Sequence, residues 1–237
     1  MRSVYCLCLG WLCLACSCVS SVTARYSPKE GKTYNDLEAR GDAVVVAAHP
    51  VAAKIGRDIL QEGGNAVDAA IATSFAISVV RPQSTGLGGG GFLLFRQAPQ
   101  STAKVYDFRE RAPSGAYPDM YLDNKGKPLD FFYKGVRVPK ASVHGHLAVA
   151  VPGLVDGLWK VHRAHGQLPW RKLIEPSIRL AREGFPVYKE LVDAVSKKLP
   201  IIRSFASTRQ ILLPKGQLPQ VGALFIQEDL AKTLELV

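Results

Sequence analysis

The order of apolar and polar residues predicts helices and short strands from residue 43 onward. The apolar run 43–48 predicts a buried strand, and the following Pro50 can begin a helix. Apolar residues then recur at every fourth position over 51–59, which is the spacing of one helical face. The Gly63-Gly64 pair predicts the end of this helix.

The segment 66–80 predicts a helix that is buried on all sides. Asn65 is a suitable N-cap for it, and Asp68 falls in the first turn, where the helix dipole favours an anion. No other charged residue lies in this segment, and a helix that is apolar nearly all round belongs in a core. Interspersed hydroxyl side chains make the segment too polar, and its length too short, to span a membrane.

A glycine-rich stretch separates this helix from a predicted β-hairpin. Residues 86–91 match the string G-x-G-x-x-G, but a phosphate-binding loop needs a strand before it and a helix after it. Here a helix precedes the glycines and an apolar run follows, so we interpret them as a tight turn between closely approaching backbones. Residues 92–96 and 103–108 predict the strands of the hairpin, and 114–147 predict loops.

The second half of the chain predicts further helices. Val151-Pro152-Gly153 opens one that breaks at His165-Gly166. Residues 169–184 have another helical pattern, but Pro176 cannot lie inside a helix without a kink, so we expect a short helix and a second one starting near this proline. Two more segments have helical patterns, namely 186–206 and 226–237.

The N-terminal segment differs from the rest of the chain. A basic residue precedes an apolar run over 4–22, and short side chains follow at the positions that signal peptidase recognises. We therefore expect an exported protein, periplasmic or extracellular, with a cleaved leader over 1–24 and a polar arm over 25–42. An uncleaved anchor through 4–22 and a lipoprotein attached at Cys16 or Cys18 are the alternatives.

Composition narrows the classes of function. All five cysteines lie in the predicted leader, so cleavage would exclude a disulfide framework, a thiolate zinc site and a cysteine nucleophile in the mature chain. The net charge is +10, but the basic residues are scattered and not interleaved with aromatic residues. We interpret this charge as favouring solubility and mild attraction of anionic substrates, and we predict no nucleic-acid partner.

Four histidines raise the question of a metal site. His144 and His146 are two apart, and His162 and His165 share a face of the predicted helix. No H-E-x-x-H motif is present and no cysteine accompanies these residues, so we predict neither a metal nor a cofactor. The absence of a G-x-S-x-G elbow disfavours a serine hydrolase.

Six motifs in series carry a resemblance to a known family. They are ILQEGGNAVDAA over 59–70, PQ over 82–83, LGGGGF over 87–92, DFRERAP over 107–113, VPG over 151–153 and LAREGF over 180–185. In this order they resemble the gamma-glutamyltransferase family (glutathione hydrolases) of the N-terminal-nucleophile hydrolase superfamily. The resemblance extends from about residue 40 to the end of the chain.

The resemblance implies an α+β fold, an α/β/β/α sandwich of the N-terminal-nucleophile hydrolase type that is incomplete in this chain. It implies a precursor that cleaves itself, with 43–237 forming the N-terminal part of the large subunit. The new N-terminal threonine of the small subunit would be the nucleophile, with its own α-amine as base. The implied partners are this missing small subunit and small molecules: glutathione, γ-glutamyl peptides, and amino-acid or peptide acceptors.

One substrate-binding residue follows from the resemblance. Carried over from the D-F-R-E motif, Arg109 would bind the α-carboxylate of the γ-glutamyl donor, for which its planar fork is suited. From the residues alone, a surface pairing of Arg109 with Asp107 or Glu110 is the simpler interpretation. Glu110 could orient Arg109, and Arg111 receives no role.

The nucleophile itself is not found in this chain. No threonine here has the Thr-Thr-His context of the family nucleophile, so we expect it beyond Val237 and predict that this chain alone lacks transfer activity. A catalytically inactive relic or a glutamyl-binding module is the alternative. A periplasmic solute-binding protein is disfavoured, because two similar lobes of alternating strands and helices are not visible.

Overall fold

The computed structural model describes residues 41–99, 102–133 and 135–237. The predicted leader and all but the last two residues of the predicted arm therefore lie outside the described residues. The chain divides after Val44, and the unit from Val45 to Val237 contains every element named below.

Two helices begin where the sequence predicts them. Helix α1 is Pro50–Gln61, and the Nδ1 atom of His49 accepts a hydrogen bond from the Val51 N–H at 3.3 Å, which caps its first turn. Helix α2 is Ala66–Val80, with Asn65 as its N-cap. Ten of the 15 residues of α2 are buried, and the remaining five lie on one face that is exposed or half-buried. Helix α2 is therefore a core helix, as predicted, but it is not buried on all sides.

The carboxylate of Asp68 joins the start of α2 to a turn much later in the chain. It is fully buried and accepts the main-chain N–H of Asn65 at 3.0 Å, which completes a capping box. It also accepts the N–H groups of Gln167 and Leu168, at 3.1 and 3.2 Å. In addition, the Asn65 side chain donates to the carbonyl of His165 at 2.7 Å. This polar junction fixes α2 against the turn that follows the third helix.

The strands within the described residues form three separate antiparallel pairs. They are β1 (Phe92–Phe95) with β2 (Lys104–Asp107), β3 (Phe131–Tyr133) with β4 (Val136–Val138), and β5 (Phe185–Pro186) with β6 (Leu224–Phe225). The first pair is the hairpin that the sequence predicts. The second lies in a segment for which only loops are predicted, because strands of three residues are too short to show a periodic pattern.

Six helices fill the second half of the chain. They are α3 (Leu154–His165), α4 (Trp170–Glu183), α5 (Lys189–Lys197), α6 (Leu199–Ser204), α7 (Ala206–Leu212) and α8 (Glu228–Leu236). The start of α3 after Gly153 and its end before Gly166 are both confirmed. The main core gathers side chains from α2 and from these helices, including the buried Leu158, Leu173 and Leu234. No helix in the described part of the chain is both long enough and apolar enough to cross a bilayer.

The strand predicted for 43–48 is wrong. This segment pairs with no strand in the described part of the chain. Val45 and Ala47 pack against the core while Val46, between them, is 85% exposed. The alternation is that of a strand, but the hydrogen bonds of a strand need a neighbour, and apolar residues alone do not supply one.

The division of the helix at Pro176 is also wrong. Helix α4 runs through this proline without a break. Leu173 and Ile174 are buried before it, and Ser177 and Ile178 are buried after it. Packing of this face on both sides of the proline outweighs the one hydrogen bond that proline cannot donate.

We expect the substitution Asp68→Ala to lower the free energy of unfolding by about 3 kcal/mol or more. The reason is that it removes a fully buried carboxylate from the three main-chain N–H groups that donate to it. Equilibrium urea unfolding measures the change. The matched control is Asp156→Ala, which removes an exposed carboxylate from its ion pair with Lys160 and should cost less than about 1 kcal/mol. Equal effects of the two substitutions would contradict the role given to Asp68.

We expect His49 to make stability depend on pH. Burial lowers the pKa of His49, the Arg81 guanidinium lowers it further, and Glu190 partly opposes them. The unfolded chain therefore binds a proton at higher pH than the folded protein does. The resulting stability is fully present above the unfolded pKa of about 6.5 and is lost as the pH falls through the lowered folded pKa.

Urea unfolding at a series of pH values measures this dependence. His49→Asn keeps a side-chain acceptor for the helix cap but does not titrate, so this variant should lose part of the decline below about pH 6.5. An unchanged decline in His49→Asn would contradict the assignment to His49.

Candidate functional site

Arg109 lies immediately after β2, on a segment whose side chains are mainly charged. Its side chain is 67% exposed, and its Nε atom is 3.5 Å from the Glu110 carboxylate. Its main-chain N–H donates to the Asp107 carboxylate at 2.9 Å. The structure thus contains both pairings that the sequence suggests as alternatives, one through the side chain of Arg109 and one through its main chain.

The main chain on both sides of Arg109 is hydrogen-bonded to other segments. Before it, Phe108 and Gly91 exchange hydrogen bonds, at 3.0 and 3.3 Å. After it, Arg111 and Val151 form an antiparallel bridge, at 2.8 and 3.1 Å. The glycine-rich turn and the segment before α3 therefore hold the arginine-bearing segment between them.

The turn and the start of α3 are also bonded directly to each other. The N–H groups of Gly153 and Leu154 both donate to the carbonyl of Gly89 at 3.0 Å. The sequence predicts that 86–91 form a tight turn between closely approaching backbones, and these hydrogen bonds agree with that prediction. Three motifs that the sequence presents separately, at 87–92, 107–113 and 151–153, meet at this place.

A cavity of about 300 Å³ lies beside this junction. Its wall is formed by the glycine-rich turn, Phe108, Glu110 and the hydroxyl-bearing residues Ser74, Ser78, Ser84 and Thr85. All four hydroxyl groups donate to main-chain carbonyl groups, so their oxygen atoms can act only as acceptors towards the cavity. These acceptors and the Glu110 carboxylate share the wall with the apolar side chains of Ile77, Phe92 and Leu154.

The histidines do not gather into one site. The His162 ring pairs with the Leu168 carbonyl at 2.8 Å, and the His165 ring pairs with the Tyr106 hydroxyl at 2.6 Å. The ring of His146 lies against the ring of Phe131, which belongs to the β3–β4 hairpin. Among the described residues, no group of three or more side chains of the metal-binding types lies close enough to hold an ion.

Two features near Arg109 go beyond what the sequence indicates. The first is the approach of Gly153 to the main chain of Phe108 and Arg109, since the V-P-G string marks only a helix start. The second is Gly157, where an added Cβ would be under 3.0 Å from the Phe108 side chain. The sequence does contain one sign of this contact, which is the presence of a glycine in the first turns of α3. Glycine weakens a helix interior, so its presence there indicates that a side chain would not fit.

Solved structures identify the class of fold. The gamma-glutamyltranspeptidase of Helicobacter pylori matches with a TM-score of 0.77 and 36% identity, over 84% of this chain and 54% of that one. The transpeptidase CapD of Bacillus anthracis matches with a TM-score of 0.64 and 30% identity, over 83% of this chain and 57% of that one. The chain therefore has the α+β fold of the N-terminal-nucleophile hydrolases, as predicted.

Sequence comparison identifies the family within that class. The family profile described as Gamma-glutamyltranspeptidase matches residues 52–237. The glutathione hydrolase proenzyme of Bacillus subtilis (strain 168) is 39% identical over 229 residues, which are 97% of this chain and 38% of that protein. This chain belongs to the gamma-glutamyltranspeptidase family, which confirms the predicted resemblance. It spans about 38% of the length of this curated relative.

Proposed function

We propose that this chain is the N-terminal portion of an exported gamma-glutamyltransferase. The enzyme would transfer or hydrolyse the γ-glutamyl group of glutathione and related γ-glutamyl compounds. Family membership supports the class of reaction, and the apolar run over 4–22, which the sequence predicts to be a leader, supports export. The observation that carries the proposal is the exposed guanidinium of Arg109 on a main chain bonded to two other segments.

The role proposed for Arg109 is to bind the α-carboxylate of the donor. Its Nε faces Glu110 at 3.5 Å, and a donor carboxylate would take the two terminal nitrogens in a bidentate contact. Because both neighbouring peptide units are held, the guanidinium would be positioned before the donor arrives. Preorganisation of this kind lowers the cost of binding.

The chemistry would be completed by residues beyond Val237. The hydroxyl of an N-terminal threonine would attack the γ-carbonyl and pass its proton to the adjacent α-amine. The leaving amine would take a proton, and water or an acceptor amine would then attack the ester and release the threonine. Main-chain N–H donors in the same downstream part would stabilise the oxyanion of each tetrahedral intermediate.

An exposed apolar sheet face supports the presence of a downstream part. Phe92, Leu94 and Val105 share one face of the β1–β2 hairpin and are 62%, 73% and 66% exposed. Such a face is normally covered by another layer. We propose that strands of the small subunit cover it and complete the sandwich.

The first experiment is to read the coding message past codon 237 and to express the complete product. We expect the frame to continue to a Thr-Thr-His segment and the purified product to cleave itself there, giving two chains on a denaturing gel. A stop codon directly after Val237, with no separate downstream partner, would overturn the proposal. The chain would then be an inactive relic or a glutamyl-binding module.

In the complete enzyme, we expect Arg109→Ala to lower kcat/KM for a γ-glutamyl donor by roughly a hundredfold or more. The estimate is the loss of about 3 kcal/mol of charge-assisted hydrogen bonding. The effect should be mainly in KM, because the contact is present in both the ground state and the transition state. Arg109→Lys should lose less, since it keeps the charge but not the planar fork.

The matched control for this prediction is Arg111→Ala. It removes an exposed guanidinium two residues away, and the bridge that Arg111 forms with Val151 is made by main-chain atoms only. This variant should keep donor KM and kcat near those of the parent enzyme. Normal donor kinetics in Arg109→Ala, or equal losses in both variants, would show that Arg109 is not the carboxylate-binding residue.

A further inference from the structure

Two glycines from separate segments lie against the peptide groups on either side of Arg109. A Cβ on Gly90 would lie 2.8 Å from the Glu110 nitrogen and 3.0 Å from the Arg109 carbonyl carbon, and closer still to the Phe108 oxygen. A Cβ on Gly153 would lie 2.9 Å from the Phe108 carbonyl carbon, and closer still to the same oxygen. Both glycines therefore contact the backbone that carries Arg109.

These contacts are with main-chain atoms, which cannot rotate away as the end of a flexible side chain can. An added methyl group at either glycine would have to displace the Phe108–Arg109 peptide unit or the segment that bears the glycine. Neighbouring glycines in the same turn differ in this respect, since a Cβ on Gly86 or Gly88 would meet nothing within 4 Å. Gly90 and Gly153 thus approach the main chain on either side of Arg109, whereas Gly91 and Gly157 approach the Phe108 side chain.

The position of the guanidinium depends on this backbone. Beyond strand β2, Phe108 exchanges main-chain hydrogen bonds with Gly91, and the next paired main-chain contact is that of Arg111 with Val151. Between them, the Arg109 side chain is 67% exposed, with its Nε 3.5 Å from the neighbouring Glu110 carboxylate. Packing around the Arg109 side chain therefore contributes little to the position of its guanidinium. The direction in which this side chain leaves the main chain is set by the two peptide groups that the glycines touch.

We propose that Gly90 and Gly153 are positioning residues for Arg109, and that they determine how strongly the site selects a donor with an α-carboxylate. This inference rests on the proposed function. Each glycine acts by the absence of a side chain, which lets the turn before β1 and the start of α3 close on the arginine-bearing segment from two directions. Neither glycine needs to touch the donor.

The test compares two donors in the complete enzyme. One is γ-glutamyl-p-nitroanilide and the other is 4-aminobutyryl-p-nitroanilide, which is the same donor without the α-carboxylate. The quantity measured is the ratio of kcat/KM for the first donor to kcat/KM for the second. The variants are Gly90→Ala and Gly153→Ala, with Arg109→Ala as reference and Gly88→Ala as matched control in the same turn.

We expect Gly90→Ala and Gly153→Ala to lower this ratio by roughly tenfold or more, towards the value of Arg109→Ala, because a displacement of about 1 Å is enough to weaken an oriented contact. The kcat/KM for the donor without the carboxylate should change little, since that donor makes no contact that depends on Arg109. Gly88→Ala should keep the parent ratio. A general loss of structure would instead lower kcat/KM for both donors together and leave the ratio unchanged.

Three outcomes would overturn the inference while leaving the proposed function standing. The first is a normal ratio in both glycine variants when Arg109→Ala lowers it. The second is an equal loss in Gly88→Ala. The third is failure of both glycine variants to fold when Arg109→Ala folds normally, which would assign the glycines to the fold alone. If Arg109→Ala itself leaves the ratio unchanged, the proposed function fails, and the role of the glycines fails with it.

Discussion

The buried carboxylate of Asp68 is the contact on which the arrangement of the helices depends. It accepts main-chain N–H groups at the start of α2 and in the turn between α3 and α4, so segments far apart in sequence meet at one side chain. A carboxylate removed from water must keep its donors, because an unpaired buried charge is costly. Hydrogen bonds are directional, whereas apolar burial is not, so this junction restricts the placement of the helices more tightly than the surrounding core does.

Contacts lead from this junction to the arginine-bearing segment. The Asn65 side chain binds the carbonyl of His165 at the end of α3, and the His165 ring binds the hydroxyl of Tyr106 in β2 at 2.6 Å. Strand β2 then runs directly into Arg109. An exposed arginine is thereby attached to a fully packed scaffold, which is the arrangement that a precise binding contact requires.

The sequence predictions were correct where the deciding interactions are local and wrong where they join residues far apart in the chain. The start of α2 was predicted correctly because Asn65 and Asp68 act within one turn. The end of α3 was predicted correctly because a glycine follows it. The strand at 43–48 was wrong because strand formation depends on a partner elsewhere in the chain. The unbroken α4 was missed because the cost of Pro176 is local, while the burial that outweighs it comes from distant helices.

Amino-acid order alone was enough to predict the family resemblance, the α+β class, the main helices and Arg109 as the residue of interest. The helices follow from residue types and spacings within short segments, whereas the α+β class and the choice of Arg109 follow from the resemblance that the six motifs carry. Only the folded chain brought the glycine-rich turn, the D-F-R-E segment and the start of α3 together, and only it placed Gly90 and Gly153 against the peptide groups beside Arg109. The physical reason is that such contacts depend on distances between segments that are remote in sequence, and these distances arise when the core packs.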